Sequence, residues 1–320
     1  MKQSTILPFC KSPIFTIYNN CSFITGIIQG HNNNSFEPWA YRRFINCAFN
    51  PGFGFRVFGT PDMLDVTKDL VCRVKSKQLP RTKWLEYWKS LLDDGIYIQA
   101  NINEQYIPGK WAYNLCEYYH DSLVIGYNDE KETFTLFARL ADQNMHIIEV
   151  SYSDVIKSYI EKGSWFLLYK YTPNEVTLDI PLIRQELSHY LYSSQSSNYV
   201  RGTRYGISAT EYLCEYLTRQ HKHGDNMDYR LTRGLTEQKA LMFNMCNYLD
   251  TNGYNLSEDI LTLCKEAANA AQRIHLLALK SYANVKSNNT LGDRIRKQFD
   301  NLIDCERKYI FLLLEQLSEY

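Results

Sequence analysis

Apolar side chains crowd into two short runs, residues 122–127 and 133–137, separated by the polar stretch Asn128-Asp129-Glu130-Lys131-Glu132. Two such runs joined by a polar turn predict a β-hairpin. The same pattern predicts strands over 56–59, 69–75, 96–102, 147–151 and 165–171, each bounded by Gly, Pro, Asn or Asp. Another short β-like run leads up to Cys21. Helical spacing is found over 23–29, 81–92 and 153–161, the last with Ser151 or Ser153 as its N-cap.

Near residue 175 the alternation gives way to a 3.6-residue period. Helices are expected over 183–191, 205–220, 236–249, 257–283 and 291–317, with polar loops at 193–198, 224–226 and 286–289. In the last helix Ile295, Phe299, Leu302, Tyr309, Leu313 and Leu317 fall near one face, which suits a bundle. The expectation is therefore an α+β fold, with a mixed domain over 1–175 and a helical bundle over 176–320.

Composition narrows the function classes. The 320 residues carry 35 Lys plus Arg against 35 Asp plus Glu, so no whole-molecule field draws nucleic acid or an anionic membrane. No apolar run is long enough to span a bilayer, and the first residues do not read as a signal peptide. Nine cysteines, an odd number with no C-x-x-C pair, argue against a zinc ribbon and for buried thiols in a reduced, cytoplasmic protein. There is no P-loop, and Gly52-x-Gly54 lacks the third glycine and the βαβ setting of a dinucleotide site. The 25 tyrosines offer side chains with one apolar face and one polar tip; Tyr106, Tyr113, Tyr118 and Tyr127 are candidates to shape an aryl or acyl pocket.

His120 stands at the mouth of the hairpin's first strand, a place suited to a reactive side chain. A nucleophile for it is available upstream in Cys21, directly before the apolar helix at 23–29. A cysteine at a helix N-terminus feels the positive end of the dipole, which favours the thiolate, and an adjacent imidazole would activate it for acyl transfer. Asn19 reads as a turn that ends the preceding strand. Asn20 suits such a turn or a side-chain oxyanion donor equally well. The plainer alternative is a buried, inert thiol and a structural histidine.

Four ordered stretches carry a resemblance: Cys21-Ser22-Phe23, Asn50-Pro51-Gly52-Phe53-Gly54-Phe55, "DDGIYIQANINEQYIP" over 93–108, and "HDSLVIGYNDE" over 120–130. Together they resemble the N-terminal domain of butirosin biosynthesis protein H-like proteins, papain-like cysteine acyltransferases close in form to the C39 peptidases. The chain is also similar in kind to the transglutaminase-like amide-forming enzyme of closthioamide assembly.

The resemblance implies a papain-like (C39-like) fold over 1–175 and a Cys21 acyl-enzyme with His120 as base. It also implies a thioester donor on the phosphopantetheine arm of an acyl or peptidyl carrier protein, an amine acceptor, and no cofactor bound by the chain itself. The helical half would bind the carrier or form a homodimer, and its pattern does not choose. In this chain the position that usually holds the histidine's orienting Asp or Asn is Ala138, so Asp142 or Asn144 would have to serve, or the site is a dyad. Asp121, on the opposite strand face from His120, is the poorer candidate. A C39-type peptidase and a non-catalytic binding protein on the same fold are the competing expectations.

Overall fold

The computed structural model describes residues 2–31, 34–57, 70–75, 83–160, 165–194, 201–225, 227–283 and 289–320. In chain order the elements are β1 (Ser4–Ile6), α1 (Asn19–Gly30), α2 (Phe36–Tyr41), β2 (Ala48–Asn50), β3 (Gly54–Arg56), β4 (Val71–Val74) and α3 (Trp84–Asp93). There follow β5 (Ile96–Asn103), β6 (Tyr119–Asn128), β7 (Thr133–Arg139), β8 (Met145–Ser151), α4 (Tyr152–Ile160) and β9 (Trp165–Tyr171). The remainder is α5 (Ile180–Leu191), β10 (Arg204–Tyr205), α6 (Gly206–Lys222), α7 (Tyr229–Leu249), α8 (Glu258–Ala283) and α9 (Asn289–Gln316). Parts of the expected strands at 56–59 and 69–75, of the helices at 81–92 and 153–161, and of the loops at 193–198, 224–226 and 286–289 lie outside the described residues.

Contacts divide the chain into two units, Met1–Phe36 with Asp62–Glu175, and Glu37–Pro61 with Val176–Tyr320. Residues 37–61 therefore cluster with the helices and not with the sheet.

The first unit is built on an antiparallel sheet in the order β4-β9-β5-β6-β7-β8, with β1 added to the far end of β6. The expected hairpin is β6–β7, and a bulge between Val124 and Gly126 interrupts its register. Gly126 makes the approach of β1 possible, since a Cβ there would lie 2.5 Å from the Thr5 carbonyl oxygen.

Helix α1 is buried almost all round, through Phe23, Ile24, Ile27 and Ile28, which marks a core helix rather than a surface one. Phe23 meets Phe137 of β7 edge-on at 6.2 Å. A second aromatic layer joins α3, α4 and β9, where Trp88 lies 5.1 Å from Tyr159 and 6.3 Å from Phe166. Helix α4 is capped by Ser151, whose hydroxyl accepts from the Asp154 amide at 3.1 Å.

The β-like run before Cys21 is not a strand. Residues 15–18 are irregular, and the Ile17 carbonyl accepts from the Arg139 guanidinium at 3.0 Å instead of joining a ladder.

The second unit packs α5 to α9 as helices, α8 lying against both α7 and α9. Ala267, Ala270, Ala271 and Ala278 keep the α8 side of those contacts thin. Strands do not stop at residue 175, because β10 pairs with β2, and β2 with β3, in a small antiparallel sheet. Two- and three-residue strands are too short for a period-2 pattern to register.

Candidate functional site

Helix α1 begins at Asn19, four residues earlier than its apolar pattern suggests, so Asn19 and Asn20 are helical residues and not a strand-ending turn. Tyr18 precedes the helix in extended conformation, without a side-chain cap. The first turn closes through Ser22, whose amide and hydroxyl both donate to the Tyr18 carbonyl at 2.9 Å. Cys21 is thus the third residue of the helix, within its first turn. The residue is 3% exposed. All nine cysteines are thiols without a disulfide.

His120 is the second residue of β6 and faces Ile102 of β5 across the ladder. Two residues beyond Ile102 lies Glu104, in the 3-10 turn that ends β5. The antiparallel pairing brings this carboxylate to the histidine: Glu104 Oε1 lies 3.2 Å from His120 Nδ1. The same oxygen accepts from Lys110 Nζ at 2.8 Å. Glu104 and Lys110 side chains are 1% and 0% exposed, while the His120 ring is 36% exposed.

Burial pushes the Glu104 carboxyl up, but the hydrogen bond from His120 and the charge and hydrogen bond of Lys110 outweigh it and hold it below the ordinary carboxylate range. For Lys110, burial pulls the ammonium down and Glu104 opposes it.

An ionised carboxylate can only accept, so the proton in the His120–Glu104 contact belongs to Nδ1. In the neutral ring Nε2 is then a bare acceptor. It points to the first turn of α1: Asn19 Nδ2 lies 3.5 Å away, and the same amide donates to the Asp121 carbonyl at 3.1 Å. The structure therefore brings His120 Nε2 to the helix turn that carries Cys21.

Asn20 is held elsewhere. Its Oδ1 accepts from Gln99 Nε2 at 3.1 Å, and Gln99 also donates to Asp121 Oδ2 at 2.8 Å while accepting from the Tyr169 hydroxyl at 2.9 Å. Asn101 completes the set by donating to Asp121 Oδ1 at 3.1 Å. Asp121 thus belongs to a polar ladder that ties β5 and β6 to the start of α1, and its carboxylate is occupied there.

Asp142 is not at the histidine. Its Oδ2 lies 2.8 Å from His146 Nε2, and its Oδ1 accepts from the Asn144 amide at 2.9 Å, all at the exposed turn between β7 and β8. Asn144 is held in that same turn by its side-chain bond to Asp142 Oδ2 at 3.2 Å. Ala138 pairs with His146 across the ladder and is fully buried. The carboxylate at His120 Nδ1 comes from the turn that ends the preceding strand, β5, and not from the strand that follows. A signal for it was present in Asn103-Glu104, directly behind the strand expected over 96–102, but the pairing of that strand with the one that carries His120 was not.

Of the four candidate tyrosines, Tyr118 adjoins the histidine, with ring centroids 5.9 Å apart, and Trp111 meets Tyr118 edge-on at 5.0 Å. Tyr127 is buried at the other end of β6, where its hydroxyl donates to Asp93 at 3.0 Å. Among the described residues no group of three His, Cys, Asp or Glu side chains could hold a metal ion, and no helix is long and apolar enough to cross a membrane.

No protein-family model matches the chain, and no curated protein matches it in sequence.

Proposed function

We propose that the chain is a cysteine-dependent acyltransferase of papain-like form, in which Cys21 and His120 carry the chemistry and Glu104 orients the histidine. The observation that carries this reading is the direction of the imidazole: Nδ1 donates to a buried, ionised carboxylate, and Nε2 faces the helix turn of Cys21.

In the first step the Cys21 thiol gives its proton to His120 Nε2 and the sulfur attacks a thioester carbonyl. The carbon–sulfur bond of the donor breaks, and the departing thiol leaves with the proton from His120. In the second step an amine attacks the acyl-enzyme and loses a proton to His120. The new amide departs as the Cys21 sulfur recovers that proton. A carrier-bound phosphopantetheine thioester is the donor class we assign, with formation of an amide in natural-product biosynthesis as the outcome. Backbone amides at the start of α1 suit the developing oxyanion. Asn20 is less suited to that role, since its side chain is committed to Gln99.

One observation favours the non-catalytic reading, in which the same fold serves as a binding protein: Cys21 is 3% exposed, so a substrate reaches it only if neighbouring side chains move. Intact-protein mass spectrometry after mixing with acyl thioesters, wild type beside Cys21→Ala, separates the two. An acyl mass on wild type that is absent from Cys21→Ala and discharged by an amine supports transfer. Absence of any adduct supports the binding protein. Discharge of the adduct by water as the free acid, with no gain in rate from an amine, would instead support a hydrolase of the C39 peptidase type.

A further inference from the structure

Lys110 has no place in the chemistry just described, yet it is the most deeply buried charge at the site. Its ammonium lies 2.8 Å from Glu104 Oε1, the oxygen that also receives His120 Nδ1 at 3.2 Å. The other carboxylate oxygen, Oε2, is buried with no hydrogen-bond partner. One oxygen therefore bears both the cation and the imidazole.

A buried carboxylate beside a histidine draws a second proton onto the ring, because the imidazolium answers its charge. An ammonium on the same oxygen answers that charge first. The charged groups that bear on Lys110 besides Glu104 are Arg139, which opposes its ammonium, and Asp121, which favours it. Their opposite signs leave Glu104 as its principal partner.

We propose that Lys110 is a positioning residue that acts through Glu104: it neutralises the carboxylate, so that His120 is oriented by Glu104 while remaining uncharged and able to accept a proton. On the acyl-transfer reading, on which this inference rests, the resting site is a neutral thiol beside a neutral imidazole, and not a preformed thiolate–imidazolium pair. Proton transfer from the thiol to His120 then accompanies attack.

The test is nuclear magnetic resonance of the histidine ring nitrogens in the full chain, with His120→Gln to assign its signals. Wild-type His120 should be neutral at neutral pH with the proton on Nδ1, a result that needs no variant to fold. In Lys110→Met the ring's titration midpoint should rise by about 1 pH unit or more. In Lys110→Arg it should stay near the wild-type value, because the charge is kept. A lysine of merely structural importance would leave the midpoint in a folded Lys110→Met protein where it was, and that result would overturn the proposal. So would an imidazolium in wild type at neutral pH.

These signals report on His120 whether or not Cys21 accepts an acyl group. Failure of thioester acylation with the expected titration removes the acyl-transfer reading and leaves Lys110 as the control on ring charge. Acylation with an unmoved midpoint removes the Lys110 inference alone.

Discussion

Among the described residues each unit buries a lysine–glutamate pair, and the two pairs differ in what completes them. In the sheet unit, Lys110 and Glu104 lie 2.8 Å apart and the third partner is an imidazole that is 36% exposed. In the helical unit, Lys239 and Glu306 lie 2.7 Å apart, and the third partner is Tyr190, which donates to both Glu306 oxygens at 3.0 and 2.9 Å. Lys239, Glu306 and Tyr190 are all buried. Burial first, then the charge of Glu306, push the Tyr190 hydroxyl well above its ordinary range, so it neither gives nor takes a proton near neutral pH. An ion pair in the interior is thus no sign of a site by itself. What distinguishes the Glu104 pair is an outlet to solvent through an imidazole, a group that can both give and accept a proton.

Removing one partner of the sealed pair should have the largest effect. Lys239→Met leaves Glu306 buried with only the tyrosine hydroxyl, and urea melts should show a loss of about 3–5 kcal/mol. Thioester acylation by whatever protein remains folded should be unaffected. A loss below about 1 kcal/mol would mean that water already reaches Glu306, and the contrast between the two pairs would fail.

Glu104→Gln comes next and should act on chemistry. The amide cannot hold the Nδ1–H form as an ionised carboxylate does, so the acylation rate should fall by roughly 100-fold or more, about 2.7 kcal/mol in the barrier. An unchanged rate would remove Glu104 from the site.

Acid should reveal the same residue more gently. A carboxyl held below its ordinary range stabilises the fold above the unfolded value of about 4.3, and that contribution disappears as pH falls through the depressed folded value. The stability difference between wild type and Glu104→Gln should therefore be constant near neutral pH and shrink below about pH 4. Denaturant melts across that window would detect a gap that instead widens in acid.

The smallest effect is expected at the turn between β7 and β8. Asp142 and His146 are paired at 2.8 Å but both side chains are exposed, so Asp142→Asn should change stability by less than about 0.5 kcal/mol and acylation not at all.

The parts legible in the sequence were those with a local pattern. The β6–β7 hairpin follows from two apolar runs about one polar turn, and α8 and α9 from long 3.6-residue periods. Local patterning also marked a cysteine near a helix start and a histidine at a strand mouth. It failed where partners are remote or a residue type misleads. Glu104 meets His120 only through β5–β6 pairing, and attention to the following strand led to Asp142 instead. Lys110 reads as a solvated loop cation because lysine usually is one, yet it is fully buried. Asn19 looked like a turn former, but the helix closes over it through Ser22 and Tyr18. Helix α7 was expected to begin at Thr236 and begins at Tyr229, since Gly234 hid a turn that Asp228 caps through the Arg230 amide at 3.0 Å.

The most direct test of the Cys21–His120–Glu104 account is the rate of iodoacetamide labelling at Cys21, followed by peptide mass spectrometry in wild type, His120→Gln and Glu104→Gln. The account predicts that both substitutions slow labelling of Cys21 markedly while the exposed Cys116 reacts at the same rate in all three proteins. Equal labelling of Cys21 in the three, or no labelling of it even in wild type, would contradict the account and leave the imidazole and its buried carboxylate as parts of the scaffold.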